Sequence, residues 1–189
     1  LPRTEGHIRG QDALRTTLRA AARRGIKYLT VYTFSTENWS RPQEEVDALM
    51  SILVSAIHAE TPQLIAEGVR MRAIGDLSRL PQQAQDSLAE SIELTKDGAQ
   101  ITLILALSYS SRDEIRRASQ RLACEAAAGR LRPEEITEEL ISSYLDTAEY
   151  PDPDLVIRTG GEERISNYLL WQSAYSELYF SETYWPDFG

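Results

Sequence analysis

A chain of 189 residues fits one domain and can bury a core without disulfides or a structural metal. It is 42% hydrophobic and 26% charged, an ordinary balance for a globular protein. With 29 acidic and 20 basic side chains the formal net charge is -9, which argues against a general nucleic-acid-binding face and leaves room only for a local basic site.

Residues 8–24 read as a helix that stops at Gly25. Residues 28–34 (YLTVYTF) are β-branched and aromatic and predict a buried strand. From Gln43 to about Glu67, Val46, Leu49, Met50, Leu53 and Ile57 recur at three- and four-residue steps, which places them on one helix face. Residues 69–74 predict a second strand, and Pro81 opens a helix running to about Lys96. Residues 101–107 (ITLILAL) are apolar in both phases and predict the central strand of a sheet covered on both sides. Helices are predicted over 112–128 and 133–144, a strand over 154–157, and a further helix over 168–175, capped by Ser166 or Asn167. The alternation predicts a single α/β domain over 1–189, with a mainly parallel central sheet and helices on both faces.

Open parallel sheets bind ligands at the carboxyl ends of their strands. Ser35-Thr36-Glu37-Asn38-Trp39-Ser40-Arg41-Pro42 follows the first strand, Gly75-Asp76 the second, and Ser108-Tyr109-Ser110-Ser111-Arg112 the third. Arg158-Thr159-Gly160-Gly161-Glu162-Glu163-Arg164-Ile165-Ser166-Asn167 follows the fourth. Three loops rich in arginine and hydroxyls on one predicted sheet edge suit a phosphorylated ligand: guanidinium forks and hydroxyls donate, and glycines let backbone N–H groups approach. All basic residues except Lys27 and Lys96 are Arg, the better bidentate partner for phosphate. The plainer reading stands beside this one: Ser40 with Pro42, and Ser110 or Ser111, are also ordinary helix starts. No Walker A or GxGxxG pattern is present. Glu177, flanked by Tyr175, Leu178, Tyr179 and Phe180, fits either plain exposure or a partner arginine or hydrated Mg2+.

Cys124 is the sole cysteine, so no intrachain disulfide forms; its helical surroundings predict a small packing residue. His7 and His58 lack zinc-site spacing. The absence of a run near the ~20 apolar residues of a membrane span, and of a signal peptide, predicts a cytoplasmic protein.

The stretch from Asp154 through Arg158-Thr-Gly-Gly-Glu-Glu-Arg-Ile-Ser-Asn167 to Phe180, taken with Thr33-Phe-Ser-Thr-Glu-Asn-Trp-Ser-Arg-Pro42, resembles the cis-prenyltransferases, above all the bacterial undecaprenyl diphosphate synthases. The likeness runs from about Gly6 to Phe188. It implies a homodimeric enzyme that condenses isopentenyl diphosphate units onto an allylic primer, farnesyl diphosphate, with Mg2+ as cofactor. The product would be undecaprenyl diphosphate, a lipid-carrier precursor for cell-wall synthesis, delivered to the membrane by a cytoplasmic or peripheral enzyme. By the same resemblance Arg158, Arg164 and Ser166 match positions holding isopentenyl diphosphate. Asn38 matches a residue of the condensation step, with Ser35, Trp39 and Arg41 as its neighbours. His7 and Arg3 match residues near the allylic diphosphate, Glu177 an acidic residue of the metal site, and Leu49 and Ile101 positions lining the tunnel for the growing chain.

The family's Asp-Gly-Asn-Gly-Arg-Trp-Ala segment and its arginine-rich terminal tail have no counterpart in these residues, so the chain as written is expected to be inactive and the function is that of the intact protein. Ser108-Tyr109-Ser110-Ser111-Arg112 stands where Asn-Tyr-Gly-Gly-Arg is commoner, and Glu163 replaces a frequent histidine. A short- or medium-chain cis-prenyl synthase, a non-catalytic partner subunit of a heteromeric prenyltransferase, and a generic sugar-phosphate or nucleotide-binding domain are the competing readings.

Overall fold

The computed structural model describes residues 3–188, without the side chains of residues 3–5 and 7. Three strands, β1 (Tyr28–Ser35), β2 (Val69–Ile74) and β3 (Ile101–Tyr109), make a parallel sheet in the order β1-β3-β2. The double-sided apolar pattern of β3 follows from its central place. Leu103, Leu105 and Leu107 face a core shared with α1 (Arg3–Arg23), α2 (Gln43–Ala66) and α3 (Gln82–Leu94). Ile104 and Ala106 face the opposite way, toward Tyr32, Tyr150, Tyr168 and Leu169. Ser108, at φ 48, breaks the two-residue alternation, and Tyr109 joins this second face. The turn after β2 hugs β3 so closely that only glycine fits: a Cβ on Gly75, at φ 117, would lie 1.9 Å from the Leu107 carbonyl oxygen.

The α/β architecture with a parallel sheet is as the sequence predicts, but the fourth strand is not part of that sheet. β4 (Leu155–Arg158) pairs in parallel with β5 (Glu177–Phe180) in a separate two-stranded ribbon. All four residues of β5 are exposed, so no alternation marked it in the sequence. β1 is an edge strand, and its side chains line the same cleft as those of β4.

Other expectations are corrected. The helix over 168–175 is absent, because Ser166, Asn167 and Leu169 take left-handed φ of 52, 63 and 49 and Leu170–Tyr175 forms only turns. Residues 133–144 split into a 3-10 turn, Pro133–Glu135, and the short α5 (Glu138–Ser143), which starts where Thr137 accepts the Leu140 N–H at 3.1 Å. Pro42, not Ser40, caps α2. Cys124, on α4 (Ser111–Ala127), is exposed rather than packed. α2 is long and apolar enough, by length and composition, to cross a membrane, contrary to the sequence expectation. In this fold its Val46, Met50, Ile57 and Leu64 enter the core.

Candidate active site

Two segments meet at the carboxyl end of the sheet. The first is the 3-10 turn Thr36–Ser40 after β1. Asn38 folds it, its Oδ1 accepting the Ser35 N–H at 2.9 Å. Two hydroxyls on the end of β3 and the start of α4 then hold it. Trp39 Nε1 donates to Ser108 Oγ at 2.9 Å, and Thr36 Oγ1 donates to Ser110 Oγ at 2.6 Å. The Trp39 ring meets Phe34 edge-on at 4.8 Å and carries the Arg79 guanidinium at 5.2 Å. Trp39 therefore anchors this turn and does not line the cavity.

The second segment follows β4. Arg158 Nη1 donates to Ser166 Oγ at 2.7 Å and to the Arg164 carbonyl at 3.1 Å, drawing residues 158–166 into a closed loop. Gly160 and Gly161, at φ 90 and 75, direct their N–H groups to the carbonyls of Thr183 and Ser181, both at 2.9 Å. The backbone anion cradle expected from this glycine pair is thus taken up by the chain itself. Arg164 pairs with Glu162 at 2.5 Å and Arg41 with Glu45 at 2.8 Å. Both pairs are exposed, and such pairs contribute little, so both guanidiniums can exchange partners for a bound anion.

Asn38, Ser35, Arg41, Arg158, Arg164 and Ser166 all line one cavity of about 1680 Å³. Its remaining wall is largely apolar and includes Val31, Leu49, Met50, Leu53, Ile57 and Leu64. From Leu49 to Leu64 the helix advances about 22 Å at 1.5 Å per residue. The volume exceeds the roughly 300–1,000 Å³ of a pocket for a drug-sized ligand. A polar mouth with guanidiniums and a long apolar body suits an amphiphile: an anionic head with an extended hydrocarbon tail.

The cavity also has an aromatic floor that sequence reasoning missed. Tyr32 and Tyr168, both on the lining, stack at 4.5 Å, and the fully buried Tyr109, outside the lining, meets both edge-on at 6.0 Å. Burial, reinforced by the Glu37 charge, pushes the Tyr32 phenol up to about 12, and burial raises Tyr168 as well, so both stay protonated at neutral pH. Burial pushes the Glu37 carboxyl upward, but hydrogen bonds from Asn167 and from nearby backbone and hydroxyl groups outweigh it and hold Glu37 below its ordinary value.

Other sequence-predicted residues are not gathered here. Ile101 is 3% exposed in the core and does not line the cavity, whereas Leu49 does. Glu177 is exposed at the start of β5, outside the lining. Among the described residues no three His, Cys, Asp or Glu side chains cluster as a preformed metal site; Mg2+ held through one or two carboxylates and substrate phosphates needs no such cluster. The side chains of Arg3 and His7 lie outside the described residues; Gly6, beside His7, lines the cavity.

The sequence model of a family described as "Putative undecaprenyl diphosphate synthase" matches residues 1–189. An isoprenyl transferase of Porphyromonas gingivalis is 55% identical over 186 residues, covering 98% of this chain and 73% of the relative. An isoprenyl transferase of Rhizobium meliloti is 55% identical over 188 residues, covering 100% of this chain and 76% of the relative. Among solved structures, lavandulyl diphosphate synthase from Lavandula x intermedia, in complex with dimethylallyl diphosphate, superposes with a TM-score of 0.93 at 35% identity, covering 98% of this chain and 80% of that one. A probable undecaprenyl diphosphate synthase from Campylobacter jejuni superposes with a TM-score of 0.84 at 36% identity, covering 95% and 82%.

Proposed function

This chain belongs to the undecaprenyl diphosphate synthase family of prenyltransferases, and from that premise we propose that the full-length protein condenses isopentenyl diphosphate onto farnesyl diphosphate to give undecaprenyl diphosphate. The observation that carries the reading is the single cavity onto which Arg158, Arg164, Ser166 and Asn38 open beside the apolar face of α2. The dimethylallyl diphosphate held by the lavandulyl diphosphate synthase is itself an allylic diphosphate, which supports assigning such a group to the same cavity here.

In the proposed reaction the C1–O bond of the allylic diphosphate breaks as C1 joins the terminal alkene carbon of isopentenyl diphosphate. A proton then leaves the resulting cation. Arg158 and Arg164, with the Ser166 hydroxyl, hold the isopentenyl diphosphate, and the Asn38 turn fixes the alkene against C1. The apolar wall takes the lengthening tail and excludes water from the cation. Incubating the full-length protein with labelled isopentenyl diphosphate and farnesyl diphosphate, then resolving products by chain length, tests the reading. A C55 ladder is expected; no incorporation would overturn it, and a product that stops short would give the short-chain alternative. Retention of Arg158, Arg164 and Ser166 favours a catalytic chain over a non-catalytic partner subunit.

Leu49 lies on the cavity wall, so Leu49→Ala is expected to shift the product distribution to longer chains, and unchanged chromatographic profiles would remove it from the wall's length control. Ile101 lies behind the lining, so Ile101→Ala is expected to act through core packing. We propose that homodimerisation uses the surface of β5, where Tyr179 is 56% exposed, with Tyr175 and Tyr184, 100% and 70% exposed, flanking the strand in sequence. Tyr179→Glu is expected to shift sedimentation toward the monomer, and an unchanged dimer would place the interface elsewhere. The product is delivered to the membrane, for use in cell-wall synthesis.

A further inference from the structure

Asn167 ties together three parts of the site. Its carbonyl accepts the Ser111 N–H at 2.8 Å, its Oδ1 accepts the Arg112 N–H at 2.9 Å, and its Nδ2 donates to Glu37 Oε1 at 2.8 Å. The first two bonds cap α4 from outside, where the Ser110 hydroxyl makes no cap. Ser111 Oγ is left to accept the Leu170 N–H at 2.8 Å, which fixes the chain just beyond the loop. Among the described residues, the bond to Glu37 is the one hydrogen bond between the Asn38 turn, residues 35–41, and the arginine loop, residues 158–167. Asn167 sits at φ 63 beside Ser166 at φ 52. Left-handed backbone is costly for most side chains and least so for Asn, and such conformations persist where the surroundings enforce them.

We infer that Asn167 is a positioning residue: by linking Glu37 to the start of α4 it sets the separation of the Asn38 turn from the Arg158–Arg164–Ser166 loop. The inference rests on the proposed prenyl transfer. The loop holds the diphosphate of isopentenyl diphosphate and the Asn38 turn fixes its alkene against the allylic carbon, so their spacing governs how the alkene meets that carbon. Reacting atoms must be held near 3–3.5 Å, and a misplacement of about 1 Å can cost 10²-fold. The loop's own internal bonds, from Arg158 to Ser166 and Arg164, do not involve Asn167, so binding of isopentenyl diphosphate should survive its loss.

Asn167→Asp tests this role. It keeps the acceptor for the Arg112 N–H but replaces the donor to Glu37 by a second carboxylate that repels it. Steady-state kinetics on the full-length protein are expected to show kcat lowered by about 10- to 100-fold, with KM for isopentenyl diphosphate moved by less than about threefold. Adding Glu37→Gln supplies the missing donor from the other side, and kcat is expected to recover to the level of Glu37→Gln alone. Should Asn167→Asp fold poorly, Asn167→Gly keeps the left-handed backbone, is expected to show the same kcat loss, and is not restored by Glu37→Gln. An unchanged kcat, or an Asn167→Asp loss that Glu37→Gln leaves in place while thermal unfolding is normal, overturns the inference. A wild-type protein with no prenyl transfer overturns the parent reading instead, so the two failures are distinct.

Discussion

Arg158→Ala is expected to reduce kcat/KM for isopentenyl diphosphate by about 10- to 100-fold, the range for losing a hydrogen bond to a charged group worth about 1.5–3 kcal/mol. Two effects add at this position. The guanidinium is a partly buried cation at the cavity mouth, and its Nη1 also closes the loop by reaching Ser166 Oγ and the Arg164 carbonyl. Losing it removes one cation and releases the other two ligands. Arg158→Lys keeps the charge but cannot hold the hydroxyl, the carbonyl and a phosphate oxygen with one planar fork, so it is expected to fall between wild type and alanine. The loss should appear mainly as a raised KM for isopentenyl diphosphate, with less change for the allylic substrate. Thermal unfolding should be near wild type, since no core contact is lost. Rates within about threefold of wild type for Arg158→Ala would remove the anion-binding role from this loop.

How much of this was legible in the sequence depended on what wrote it there. β2 is read to the residue, and β1 and β3 to within two residues at either end, because apolar periodicity records burial on a sheet directly. The ribbon β4–β5 was half legible. Leu155, Val156 and Ile157 mark a strand, but partner choice is a tertiary property, and no residue of β5 is buried enough to mark it. The failed helix at 168–175 teaches the same lesson from the other side. Leu169, Leu170, Trp171 and Tyr175 suggest a helical stripe, yet Leu169 itself is left-handed, held there by burial against Ile104 and Tyr109.

The mouth of the cavity was legible as residue types at strand ends: Ser35, Asn38, Arg158, Arg164 and Ser166 meet there. What was illegible is how the mouth is braced. Trp39 and Thr36 grip Ser108 and Ser110 across about seventy residues of chain, and Asn167 grips Glu37 across 130, and side-chain hydrogen bonds of that reach leave no period in a sequence. One local signal was available. The Ser-x-x-Asn spacing of Ser35 and Asn38 is that of a capping box, and the Asn38 amide does fold back on the Ser35 N–H.

Behind the mouth lies Glu114, a carboxylate 1% exposed on the first turn of α4, and Glu114→Ala is expected to cost the fold roughly 3–4 kcal/mol. Three groups donate to it: Tyr109 Oη at 2.6 Å, the Asp146 N–H at 2.9 Å, and Gln172 Nε2 at 3.1 and 3.2 Å. Alanine opens a cavity and leaves the Asp146 N–H without its partner, while Tyr109 Oη keeps Ser111 Oγ at 3.3 Å and Gln172 Nε2 keeps Thr147 Oγ1 at 2.9 Å. The orphaned amide costs about 1–3 kcal/mol, and the cavity with the two weakened donors brings the total to roughly 3–4 kcal/mol. At roughly 2–4 °C per kcal/mol for a domain of this size, the thermal midpoint should fall by about 10 °C. Tyr109→Phe removes one donor and leaves the carboxylate two, so it should cost about 1 kcal/mol. Combined with Glu114→Ala it should cost less than the sum, because the hydroxyl orphaned by one change is absent in the other. Burial pushes the Glu114 carboxyl up, and its donors only partly offset this. Between the ordinary carboxylate range and the raised native value the folded chain therefore binds more protons than the unfolded one, so this group's contribution to stability falls as pH rises through that window. Glu114→Ala should lose that slope along with the stability. A midpoint within about 2 °C of wild type, with the pH slope intact, would mean that the three donors find water or each other and that Glu114 does not brace Gln172 and the chain beyond the arginine loop.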